Sequence, residues 1–121
     1  SLGETPLHNA VYAYNASAVE VLLDRHANAK ATSLNMATPI RGCAAAEMRI
    51  KKAALRRKNT EEEQHTSSKV QVVMEMLIEK GAYLKKNDKL LKLGMPDHLK
   101  RRNAENEQRD VNMAAGLGEL T

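Results

Sequence analysis

Apolar and polar residues along this chain recur with the period of a helix. Val70, Val73, Met74, Leu77 and Ile78 fall at i, i+3, i+4, i+7 and i+8, the stripe of an amphipathic helix. Val19, Leu22 and Leu23 share one face a turn apart. No segment alternates over strand length, so the chain is predicted to be all-α. Helix punctuation agrees. Thr5-Pro6 and Thr38-Pro39 each pair an N-cap residue type with proline at the first helical position. Ser68-Lys69-Val70-Gln71 predicts a capping box that opens the long apolar stripe, and Gly81 is placed to close it.

The opening motif comes back. Thr38-Pro39-Ile40 follows Thr5-Pro6-Leu7 at a spacing of 33 residues. The first unit reads Thr5-Pro6-Leu7-His8-Asn9-Ala10, with Gly3 ahead of it, Ala10-Val11 as a small pair, Val19-Glu20-Val21-Leu22-Leu23 as a second helix and Ala27 behind it. This pattern and its period resemble the ankyrin repeat. The resemblance implies one domain over 1–121. Repeat 1 spans about 2–35, repeat 2 about 36–86, and 87–121 forms a degenerate repeat or a helical cap. The helix-turn-helix units would stack as a short solenoid, each burying its neighbour's apolar face. Leu90, Leu91, Leu93, Met95 and Leu99 are the candidates to cover the last unit. Because the chain opens on Ser1, it is expected to be a fragment of a longer protein.

The match has departures. Tyr14 stands where the family has a glycine between helices, and His26 where it has the helix-ending glycine. A side chain in the left-handed conformation is strained, so that turn is expected to close differently or at a cost. In the second unit Arg41 replaces the family histidine, and Cys43-Ala44 replaces the small pair. Its closing Gly81-Ala82 arrives 22 residues late. The inserted stretch, about 46–67, starts with strong helix formers and continues into residues 59–68, which contain no apolar side chain. Two readings stand. A Thr60–Glu63 capping box would make the insertion a helical hairpin whose arms project by roughly 15 Å. Otherwise it is a polar loop ending at Ser68.

Composition narrows the chemistry. The 121 residues include no Trp, no Phe and three Tyr, so the core must come from Leu, Val, Ile, Met and Ala. No apolar run approaches the roughly 18 residues of a membrane span. A single cysteine excludes an internal disulfide framework and fits a reducing compartment. The expected location is intracellular, cytoplasmic or nuclear, or a host cell if the source is an intracellular bacterium. Cys43 lies at a packed small-residue position. His26, His65 and His98 show no metal-ligand spacing with it. Gly116-Leu117-Gly118 follows no strand, so it is no phosphate loop. No catalytic residue, metal or cofactor is expected, and the chain is read as a non-enzyme and a monomer.

Two functions follow. The resemblance implies a scaffold that binds another protein through its concave face, formed by the fingertips and the exposed side of each first helix. Carried onto this chain, that face holds Asn9, Tyr12, Ala13, Ser33, Leu34, Asn35, Ala37, Arg41 and Ala45, with Ala46 beyond. Tyr12 is the best anchor, or else a partly buried packing residue. Leu34 and Met36 either join the face or pack under the finger. His8 would be structural, its ring bonded to backbone near the turns. The alternative is a nucleic-acid-binding or nuclear-targeting module acting through Arg49, Lys51, Lys52, Arg56, Arg57 and Lys58. Against it stand the Glu61, Glu62, Glu63 run that follows, the absence of interleaved aromatics, and a net charge of only +4.

Overall fold

The computed structural model describes residues 3–34, 36–56 and 61–114. Among the described residues six helices follow one another: α1 Pro6–Tyr12, α2 Ala16–Asp24, α3 Pro39–Leu55, α4 Glu61–Glu79, α5 Leu90–Gly94 and α6 Asp97–Ala114. They form two rows. α3 packs on α1 and α5 on α3, while α4 packs on α2 and α6 on α4. The core runs along both rows through Leu7, Val11, Val19, Ile40, Cys43, Val70, Met74, Leu77, Met95 and Leu99, all essentially sealed from solvent. Small residues permit the close approach. A Cβ on Gly94 would run into the Ala44 carbonyl, so α5 meets α3 almost backbone to backbone.

Three helices end identically. After α1, Tyr14 N–H donates to Val11 O and Asn15 N–H to Ala10 O; after α2, His26 N–H donates to Leu23 O and Ala27 N–H to Leu22 O. After α4, Gly81 and Ala82 N–H donate to Ile78 O and Leu77 O. This is the Schellman closure, and its left-handed residue has φ of 54° at Tyr14, 67° at His26 and 95° at Gly81. Of the two expectations for His26, a different closure or the usual closure at a cost, the second holds. Histidine adopts the glycine conformation, at the steric cost of its Cβ.

The insertion is helical on both sides of residues 57–60. α3 continues to Leu55 and α4 starts by Glu61. Thr60 lies outside the described residues. Ser68 does not cap a helix: it sits inside α4 and its hydroxyl donates back to Gln64 O at 3.2 Å. The arms are pinned by a buried carboxylate. Glu47 of α3, 1% exposed, accepts from the Ser67 hydroxyl at 2.6 Å and from Gln71 Nε2 at 3.3 Å.

α5 and α6 cover the second unit through Leu90, Met95 and Leu99, with Leu91 partly buried. Leu93 is corrected from core to surface, 41% exposed, because Gly94 takes the contact with α3. The inner stripe of α6 is largely amide. Asn103 accepts from Leu84 N–H at 2.7 Å and donates to Leu84 O at 3.0 Å. Asn106 donates to Ile78 O at 2.8 Å and to Ala82 O at 2.9 Å. Those carbonyls lie at and beyond the end of α4, where a helix leaves acceptors short of donors; Ile78 O, which already accepts from Gly81 N–H, gains a second one. The two buried amides satisfy them, so a polar helix can seal an apolar stack.

Candidate functional site

His8 fixes the geometry of the inner row. It is fully buried. Its backbone N–H donates to the Thr5 hydroxyl, and its Nδ1 accepts from Thr5 N–H at 3.1 Å, a reciprocal capping box. With Nδ1 an acceptor, the ring proton sits on Nε2, which donates to Ala37 O at 2.9 Å. The first helix thus holds the residue just before Thr38, the N-cap of α3. In the second unit Arg41 occupies the His8 register. Its Nε donates to Asp88 Oδ2 at 3.1 Å, just before Lys89, the N-cap of α5.

Tyr12 lies beside this tether. Its ring meets His8 edge-on, with centroids 6.1 Å apart and planes at 60°. It also lies across Gly42 of α3, where a Cβ would stand 2.6 Å from the ring. Partial burial, then the adjacent Glu4 carboxylate, pushes the Tyr12 hydroxyl above its ordinary value. The residue remains 39% exposed, a packed ring with one open side. Asn9 and Ala13 flank it in solvent.

The finger between α2 and α3 carries the largest exposed apolar groups near this face. Leu34 is 79% exposed and covers Gly3, whose φ of 74° and contact with the Leu34 side chain leave no room for a Cβ. Met36 is 74% exposed at a φ of 65°. Neither packs under the finger.

The ankyrin-repeat family model matches residues 2–34. The chain carries an ankyrin repeat. No curated protein and no solved structure matches it. Ankyrin repeats generally mediate protein–protein interaction and are typically non-enzymatic.

Around this ankyrin repeat the expected binding residues divide. Asn9, Tyr12, Ala13, Leu34 and Arg41 are exposed, and Ala37 and Ala45 are half-buried. Ser33 is corrected. It is 4% exposed because it builds the turn: its N–H donates to Ala37 O, and its hydroxyl accepts from Ala37 N–H. Ala46 is buried as well. Asn35 lies outside the described residues.

The basic group does not form one patch. On a 3.6-residue helix Arg49, Lys52 and Arg56 share a flank of α3, whereas Lys51 lies opposite. Arg49 reaches toward the ankyrin repeat and donates to the Tyr14 hydroxyl at 3.4 Å. Lys51 faces the start of α6, within electrostatic reach of Asp97, whose carboxyl is held low chiefly by its hydrogen bond from Lys100. Arg57 and Lys58 lie outside the described residues.

Among the described residues no group of three His, Cys, Asp or Glu side chains could hold a metal ion. Cys43 is buried; desolvation, and then the nearby Glu47, push its thiol up to about 12. No described helix is long and apolar enough to cross a membrane. Sequence reasoning missed Asp88, Asn103 and Asn106. Asp88 had a legible signal, an acidic residue just ahead of an apolar helix start. The asparagines had none, since their partners are backbone groups 19 to 28 residues away.

Proposed function

We propose that this chain is a non-catalytic scaffold that binds a partner protein through its concave face, centred on Tyr12. Asn9, Ala13, Leu34, Ala37, Arg41 and Ala45 complete that face, with Asn35 carried onto it by the family pattern alone. The observation that carries the reading is the Tyr12 ring. It is braced on two sides by His8 and Gly42 and remains 39% exposed on the third. A pre-ordered aromatic gives up little side-chain entropy on binding, which suits an interface anchor. The separation of Lys51 from Arg49, Lys52 and Arg56 weighs against the nucleic-acid alternative.

The test is capture of binding partners by immobilised protein, compared with a Tyr12→Ala, Asn35→Ala double variant. The variant is expected to keep its helical circular dichroism and to lose the captured protein. Undiminished capture by a folded variant would overturn the reading, as would salt-sensitive binding of an oligonucleotide probe with no protein captured.

A further inference from the structure

Beside the finger lies an open groove of about 450 Å³, bounded by Thr32, Met36 and Thr38 on one side and by Tyr83, Leu84 and Lys85 on the other. It exists because the second unit has no finger. From Ala27 the chain takes eleven residues to reach the N-cap Thr38; from Ala82 it takes seven to reach the N-cap Lys89. Seven residues carry the chain straight across to α5. The side of the finger that faces the second unit is left uncovered.

The charges around this groove are asymmetric. Asp110 is held by both carboxylate oxygens against Lys30 Nζ, at 3.1 and 3.0 Å, and Asp88 is held by Arg41. In each pair the cation is the more open partner, 44% against 32% and 45% against 15%. Lys85 is exposed and forms no ion pair among the described residues. Solvent therefore meets three cations, Lys30, Arg41 and Lys85, while Asp110 and Asp88, which also line the groove, are partly covered by the first two, leaving one net positive charge on its walls. A guanidinium that uses Nε for one carboxylate keeps donors for another.

Met36 is the second sign. Its φ of 65° strains a non-glycine backbone, yet the side chain held there is 74% exposed at the edge of the groove. Strain that retains an exposed, adaptable thioether points to a contact made when something is bound.

We propose that this groove takes an extended acidic segment of the partner protein, which lies along the uncovered side of the finger in place of the missing one. Its carboxylates meet Lys30, Arg41 and Lys85, and an apolar residue between them meets Met36 and the half-buried Tyr83. The proposal rests on the concave-face reading and names the partner chemistry at one end of that face.

The experiment is an amide NMR titration of the whole chain with end-blocked synthetic peptides. Each holds a central Leu flanked by two Glu at varied spacing, and a matched set carries Lys for Glu. At least one Glu peptide is expected to shift Thr32, Met36, Tyr83 and Lys85. Its Lys counterpart should bind roughly tenfold or more weakly, as expected of complementary charge. Lys85→Glu should weaken the Glu peptide. Met36→Gly should weaken it too while leaving thermal stability equal or higher, which separates lost contact from lost fold. No saturable shift at about 1 mM peptide, or equal binding of the Lys set, overturns the proposal. Shifts confined to Asn9 and Tyr12 also overturn it while leaving the concave-face reading intact.

Discussion

Arg41 Nε donates to Asp88 Oδ2 at 3.1 Å, and the same carboxylate accepts Leu90 N–H on its other oxygen at 2.9 Å. One aspartate therefore caps α5 and ties it to α3. His8 makes the equivalent tie one unit earlier, to the Ala37 carbonyl. The replacement of histidine by arginine is thus a change of acceptor, from a backbone carbonyl to a carboxylate, with the linkage between successive inner helices retained.

Asp88→Ala should therefore cost more than an exposed ion pair. Loss of the cap and of the charge-assisted bond is expected to lower stability by about 1–2 kcal/mol in urea unfolding. Arg41→Ala alone should cost less, and the coupling between the two changes in a double-mutant cycle should be about 0.5 kcal/mol. A zero coupling would show that the tie does not exist in solution.

His8→Ala should be far more damaging. It opens a cavity in the core, strips Ala37 O of one of its two donors, the other being Ser33 N–H, and strips Thr5 N–H of its acceptor. The expected loss is about 2–4 kcal/mol, measured by thermal or urea unfolding. A loss under about 0.5 kcal/mol would place the ring on the surface.

Much of this was legible in the sequence, and for a physical reason. Thr5, Pro6 and Gly81 act on groups within a few residues of themselves, so their spacing carries their role; His8 does so in its capping box, while its bond to Ala37 O spans 29 residues. The apolar stripe of α4 is legible for the same reason. The end of α4 was read correctly, and of its two expected starts, near Thr60 or at Ser68, the helix running from Glu61 bears out the earlier one. Ser68 resembles a cap, yet the helix already runs through it, because hairpin packing around Glu47 overrides a local signal. The closing helix was the least legible part. α6 is polar along its packed face, and only distant backbone acceptors explain Asn103 and Asn106. At the candidate site Tyr12 was legible from its register. Ser33 was not, because its hydroxyl is spent inside its own turn.

His26→Gly should stabilise the chain by about 1 kcal/mol, since it relieves the left-handed strain at an exposed position and leaves the Schellman bonds in place. Gly81→Ala, where a Cβ has open space but φ is 95°, should cost about 1 kcal/mol. Opposite signs in a pair of melting curves are the expected result. Equal signs would mean that the two turns do not share one geometry.

Cys43 sets an alkaline limit. Its thiol rises from an ordinary 9.0 to about 12 in the fold, first through desolvation and then through the neighbouring Glu47. Between those values the unfolded chain has released a proton that the folded chain still holds, so stability falls as pH climbs from 9.0 toward 12. Cys43→Ala should flatten that decline in urea midpoints while lowering stability at neutral pH. At pH 8 the native thiol should resist a disulfide reagent until the chain unfolds.

The central claim is that the open side of Tyr12 is where a partner protein sits. Site-specific photo-cross-linking tests it most directly. A photoreactive side chain is placed at Tyr12 or Leu34, with Glu20 on the outer row and Val111 on α6 as controls. The account predicts protein adducts from Tyr12 and Leu34 and none from Glu20 or Val111. Adducts from the controls alone, or equally from all four positions, would contradict it.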